Sequence, residues 1–139
     1  MKAARRRNLE PPHKCLVGRR VLVIEDESLV SMLLEDTLAE IGCEIAGLAS
    51  RFNDAMKKAS SLSFDVAILD VNLNGQQTFP IAEALNERGL PFVFATGYGS
   101  GSLPAQLQHA PVLQKPFHQY ELERALGAAL AGKDDEAAR

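Results

Sequence analysis

Several features are missing from this chain of 139 residues, and each absence removes a class of protein. No apolar run approaches the roughly 20 residues that a helical membrane span needs. Met1 to Arg7 is charged enough to begin a secretory signal, but Asn8-Leu9-Glu10-Pro11-Pro12-His13 stands where its apolar stretch would have to be. Cysteine is scarce: Cys15 and Cys43 match no metal-binding or redox spacing, which leaves two ordinary thiols in a reducing cytoplasm. Internal repeats are absent, and the one biased stretch is a short Gly/Ser segment after Thr96.

What remains is the composition of one ordinary globular domain, with 46% hydrophobic and 24% charged residues. The charge is unevenly placed. Residues 1–20 hold seven Lys/Arg against Glu10 alone, whereas the other 119 hold eight Lys/Arg against seventeen Asp/Glu. A basic leader over 1–17 therefore precedes an acidic domain over 18–131 and a polar tail over 132–139. Because no aromatic residues interleave with the basic cluster, it reads as a solvated leader and not as a nucleic-acid or membrane contact.

Along the chain, apolar runs alternate with helical spacing. Val21-Leu22-Val23-Ile24 reads as a buried strand, followed by Val30, Leu33, Leu34, Leu38 and Ile41 at helical intervals, with Ser28 as N-cap and Gly42 as stop. Residues 44–49 alternate like a strand, and Phe52, Ala55, Met56 and Ala59 mark a helix opened near Asn53 or Asp54. Val66-Ala67-Ile68-Leu69 reads as a central strand buried on both faces, ending at Asp70. Asn74-Gly75 signals a turn, Pro80 suits a first helical turn, and Gly89 ends that helix. A fourth strand covers Pro91 to Ala95. Three glycines then fall within five residues and leave little more than Ala105 to His109 for a short or mobile fourth helix. Pro111 to Leu113 is a fifth strand, and Leu122, Ala125, Leu126, Ala129 and Leu130 line a last amphipathic helix before a frayed end from Lys133. Five β-α repeats of this kind predict a parallel sheet with helices on both faces.

The carboxyl ends of parallel strands share one edge, where such folds bind their ligands. The residues brought there are Glu25 and Asp26, Asp70, Thr96 and Lys115. Crowded carboxylates repel, so a pKa rises or a cation joins them, and a hard, oxygen-liganded ion such as Mg²⁺ fits this set. The hydroxyl and the ammonium suit phosphoryl oxygens. Together the groups point to phosphoryl chemistry with Asp70 as nucleophile.

The Val-Leu-Val-Ile-Glu-Asp-Glu run at 21–27, Asp70 after its apolar strand, Phe94-Ala95-Thr96-Gly97 and Gln114-Lys115-Pro116-Phe117 resemble the receiver domain of two-component response regulators. The likeness covers about residues 18–131. It implies the flavodoxin-like sheet order 2-1-3-4-5. It also implies Asp70 as phosphoacceptor and Mg²⁺ ligand, Asp26 as a direct Mg²⁺ ligand with Glu25 a ligand or held through water, the backbone carbonyl of Asn72 as another, and Thr96 and Lys115 as the groups that meet the phosphoryl oxygens. A cis bond between Lys115 and Pro116 would aim the lysine. The implied partners are a sensor histidine kinase or a histidine phosphotransfer protein, and a downstream protein; a homodimer is compatible with it. The implied protein is a phosphoacceptor, not a turnover enzyme. With no output domain after residue 131, its signal would leave through protein contacts or by draining phosphoryl groups from a shared kinase.

Departures from the family pattern cluster around the fourth strand. Val112 stands where receivers usually place an aromatic switch, three residues before the lysine, and Tyr98 is the candidate replacement; Tyr98→Ala is expected to lose partner binding and keep phosphorylation. Asn74 stands where a proline is common. Phe94-Ala95-Thr96-Gly97-Tyr98 is similar to a subgroup of single-domain receivers with a Phe-Ala-Thr-Gly-hydrophobic-Tyr motif, associated with kinases of the HWE class; the match stops at Gly99. Gly97, Tyr98 and Pro116 are therefore candidate signalling residues. Three other functions compete. A flavin or nucleotide module would need a phosphate loop where Glu25-Asp26-Glu27 stands. A dehalogenase-type phosphohydrolase would want an Asp at Asn72. A receiver-shaped interaction module would never be phosphorylated.

Overall fold

The computed structural model describes residues 16–97 and 103–138. Tyr98, the serines and glycines through Ser102, and the leader through Cys15 lie outside the described residues. Strand β1 (Arg20–Ile24) leads to helix α1 (Ser28–Ile41), β2 (Glu44–Ala49), α2 (Phe52–Ser61) and β3 (Val66–Asp70). A small hairpin pairs Asn72–Leu73 with Gln76–Gln77, and then come α3 (Phe79–Arg88), β4 (Phe92–Thr96), a 3-10 turn at Ala105–Leu107, β5 (Val112–Gln114) and α4 (Gln119–Ala138). The five strands form one parallel sheet in the spatial order β2-β1-β3-β4-β5, the order expected.

Side chains alternate across this sheet and sort into two cores. Val21, Val23, Val66, Ile68, Val93 and Ala95 share one face with Leu34, Leu38 and Ile41 of α1 and Leu122, Leu126 and Leu130 of α4. Leu22, Ile24, Ala67, Leu69, Phe92 and Phe94 share the other with Ala55 and Ala59 of α2 and Ile81 and Leu85 of α3. β3 is buried at every position because neighbours flank it on both edges and helices cover both faces.

Local chemistry explains most element ends. α1 stops where Gly42 takes φ 102° and its N–H and that of Cys43 reach back to Leu38 O, and α3 stops likewise at Gly89 with φ 72°. Pro80 sits in the first turn of α3, where a missing N–H is harmless. Ser28 is not the N-cap: Glu27 is, with no side-chain cap bond, so Ser28 is already helical. Leu33 does not join the core. At 100° per residue it lies roughly 100° from the centre of the Val30-Leu34-Leu38-Ile41 stripe, and it is 65% exposed. Leu16 is fully buried, so the packed core already includes a residue ahead of 18. α4 continues through the residues expected to fray, since Lys, Glu and Ala favour helix and Lys133 Nζ donates to the carbonyl of Gly89.

Candidate functional site

Glu25 follows β1, Asp70 ends β3, Thr96 ends β4 and Lys115 follows β5, so all four meet at the sheet's carboxyl edge. The register is direct: Asp70 pairs with Ala95, and the N–H of Lys115 donates to Thr96 O at 2.8 Å. Glu25 and Asp70 are 3% and 6% exposed, and Asp26 is half-buried. Each of these three carboxylates offers an oxygen within 4.8 Å of the others. The donor set is oxygen alone, which suits a hard divalent cation.

Lys115 is the counter-ion. Its Nζ donates to Glu25 Oε1 at 2.8 Å and to Asp70 Oδ1 at 3.3 Å. Glu25 Oε2 accepts the N–H of Glu27 at 3.1 Å, which fixes the carboxylate at both oxygens. Burial, then the charge of Glu25, raises the Asp70 carboxyl to about 7 even though Lys115 opposes the rise. Burial alone would lower Lys115, but its bond to Glu25 and the two carboxylate charges raise it. One ammonium thus does not neutralise the three acids of the cluster.

The peptide bond between Lys115 and Pro116 is cis. Thr96 is buried, Gly97 is exposed with no atom of the described residues within 4 Å of where a Cβ would stand, and Asn72 heads the hairpin after β3. Val112 is 36% exposed on β5, with no aromatic ring in its place.

Two residues hold the loop after β3: Thr78, which the sequence pattern did not single out, and Asn74, which it marked only as a turn and as a departure from the family's proline. Thr78 is fully buried, and its Oγ1 donates to Asp70 O at 2.6 Å and lies 3.2 Å from Val71 O. Its place just ahead of Phe79-Pro80 is a helix-start signal that would have marked it. Asn74 donates its N–H to Asp26 Oδ2 at 2.8 Å and its Nδ2 to Ser50 O at 2.9 Å.

A doubly covered parallel sheet with an acidic cluster and a lysine at its carboxyl edge defines the class of protein: an α/β signalling receiver. The sequence profile of the response regulator receiver domain matches residues 21–127, and the chain belongs to that family. It is similar to SdrG from Sphingomonas melonis Fr1, at 40% identity over 83% of this chain and 97% of that one, with a TM-score of 0.71. It is 41% identical to SdrG in its BeF3-activated conformation, over 80% of this chain and 95% of that one, with a TM-score of 0.68. Among curated proteins it is 33% identical to the transcriptional regulatory protein PdtaR of Mycobacterium tuberculosis, over 83% of this chain. The chain spans 58% of that relative's length. Among the described residues, no helix is long and apolar enough to cross a membrane.

Proposed function

We propose that the chain is a response regulator that accepts a phosphoryl group on Asp70 from a histidine kinase or a histidine phosphotransfer protein. The observation that carries this reading is the convergence of Glu25, Asp26, Asp70, Thr96 and Lys115 on one edge, with the Lys115 ammonium bridging Glu25 and Asp70. Glu25, Asp26 and Asp70, with the main-chain carbonyl of Asn72, would hold Mg²⁺, which when bound supplies positive charge against phosphoryl oxygens. A carboxylate oxygen of Asp70 forms the new P–O bond as the N–P bond of the phosphohistidine breaks in line. Lys115, already on Asp70, follows the added charge, and Thr96 offers its hydroxyl from the adjacent strand end. Because the sheet fixes these groups before the donor arrives, the contribution is mainly positioning and charge.

Output follows from the same edge. A phosphoryl group that draws in Thr96 biases the segment after β4, which among the described residues holds a single 3-10 turn and not a full helix. The donor approaches over α1: Leu29, Met32 and Leu33 are 80%, 58% and 65% exposed on its first half, and Met32 shares a groove with Glu25, Asp26 and Leu48. A phosphohydrolase is the weaker reading, since Asn72 lacks the acid that such chemistry would use two residues after Asp70. Mg²⁺ with beryllofluoride tests the reading by nuclear magnetic resonance. Amide shifts centred on residues 70, 96 and 115, lost in Asp70→Asn, are expected; no shifts beyond those of Mg²⁺ alone would favour an unphosphorylated interaction module.

A further inference from the structure

Among the described residues, Asn74 is the one non-glycine with positive φ, at 52°. Asparagine tolerates this left-handed region better than most residues, and glycine follows at 75 with φ 85°. The hairpin ladder pairs Asn72 with Gln77 and Leu73 with Gln76, so Asn74 lies beyond it and its N–H is available to another acceptor. That acceptor is Oδ2 of Asp26, 48 residues earlier, at 2.8 Å. The carboxamide points a second way, to the main-chain carbonyl of Ser50 between β2 and α2 at 2.9 Å. One exposed turn residue therefore joins three segments: the end of β1, the end of β2 and the hairpin after β3.

The acids of the cluster are not equally held. Glu25 is buried and fixed at both oxygens, and Asp70 is buried against Lys115. Asp26 is half-buried, and among the described residues its carboxylate takes its hydrogen bond from the N–H of Asn74 alone. Without that bond its side chain has solvent and free rotamers in reach. A ligand that must be ordered when the cation arrives binds it more weakly by the entropy of that ordering.

We propose that Asn74 is a positioning residue of the cation site, holding Asp26 by its N–H while the carboxamide bond to Ser50 keeps that N–H in place. This rests on the reading of Glu25, Asp26 and Asp70 as a Mg²⁺ site. The N–H leaves Oδ1 of Asp26 as the oxygen it does not engage, so the carboxylate is oriented without being capped at both atoms. Partners behind a metal ligand act in this way, by fixing its orientation and not by touching the metal.

Calorimetric titration of the full chain with Mg²⁺ alone tests this. Asn74→Gly keeps the N–H and accepts a positive φ but loses the tie to Ser50, whereas Asn74→Pro loses the N–H and, with φ fixed at about −65°, the left-handed turn as well. We expect Mg²⁺ binding about threefold weaker in the first, where the N–H is kept, and about tenfold or more in the second, which reaches the scale typical of losing a group behind a metal ligand. Gln76→Ala, exposed on the same hairpin, leaves the affinity unchanged, and the metal-free unfolding midpoint of Asn74→Gly stays near that of the unsubstituted chain. Should Asn74→Pro fail to fold, Asn74→Gly decides. Equal affinity in Asn74→Gly and the unsubstituted chain overturns the positioning role and leaves the cation site standing. No Mg²⁺ binding by the unsubstituted chain overturns both.

Discussion

Asp70 keeps its proton to about pH 7 in the folded chain, against an ordinary value of 3.8, because burial and Glu25 outweigh Lys115. Between those two values the folded state binds more protons than the unfolded one, so stability falls as pH rises through that window. Lys115 shifts upward from 10.5 and stays protonated throughout it; its contribution is lost only as pH climbs through its raised value. Thermal unfolding of the metal-free chain from pH 4 to pH 8 is therefore expected to show a falling midpoint that flattens near pH 7. Asp70→Asn removes most of that slope and raises stability at pH 8 by on the order of 1 kcal/mol, a few degrees in midpoint. An unchanged slope would contradict the account of Asp70. Thr78 is the other residue whose removal is informative. Thr78→Val keeps the shape and leaves the Asp70 carbonyl without its hydroxyl donor, a loss of about 1–3 kcal/mol in urea unfolding. Glu25, Asp26, Asp70, Thr96 and Lys115 were readable from sequence because each closes or follows an apolar strand. For Thr78 and Asn74 only a helix start and a turn were readable, and their roles were not, since these lie in hydrogen bonds to main-chain and carboxylate oxygens set by tertiary folding.

The strands were readable as apolar runs, and the helix stops as glycines, because both signals are local. β2 shows where local signals end. Val21 pairs with Ile45 but Leu22 with Gly47, so Ala46 is an extra residue in the ladder, which simple alternation along 44–49 does not disclose. At Gly47 a Cβ would stand 2.9 Å from Leu62 Cδ2 and 3.5 Å from Leu22 Cδ1. Leu62 can turn its end away from one methyl group but not from a branched side chain. Gly47→Ala is therefore expected to be mild and Gly47→Val to destabilise by about 1–3 kcal/mol in urea unfolding. Equal stability of the two would show that β2 yields to accommodate the added bulk. The exposed half of α1 has a related lesson. Leu33 follows helical spacing, yet the stripe that packs is narrower than the apolar set, and of the surplus Met32 lines a groove with Glu25 and Asp26.

At the scale of the molecule, parallel topology carries the function. Residues separated by up to 90 positions, Glu25 and Lys115, meet at 2.8 Å because every crossover returns the chain to the same edge. That convergence follows from the β-α alternation and is legible in the amino-acid sequence itself. A phosphoryl donor or an output partner would not be, since its contacts belong to another chain. The central claim is that this edge takes a phosphoryl group onto Asp70, and the most direct test is intact-mass analysis after incubation with Mg²⁺ and acetyl phosphate. One added phosphoryl group, absent in Asp70→Asn and absent with a chelator, is the predicted result. An adduct that persists in Asp70→Asn, or one that forms without metal, would contradict it.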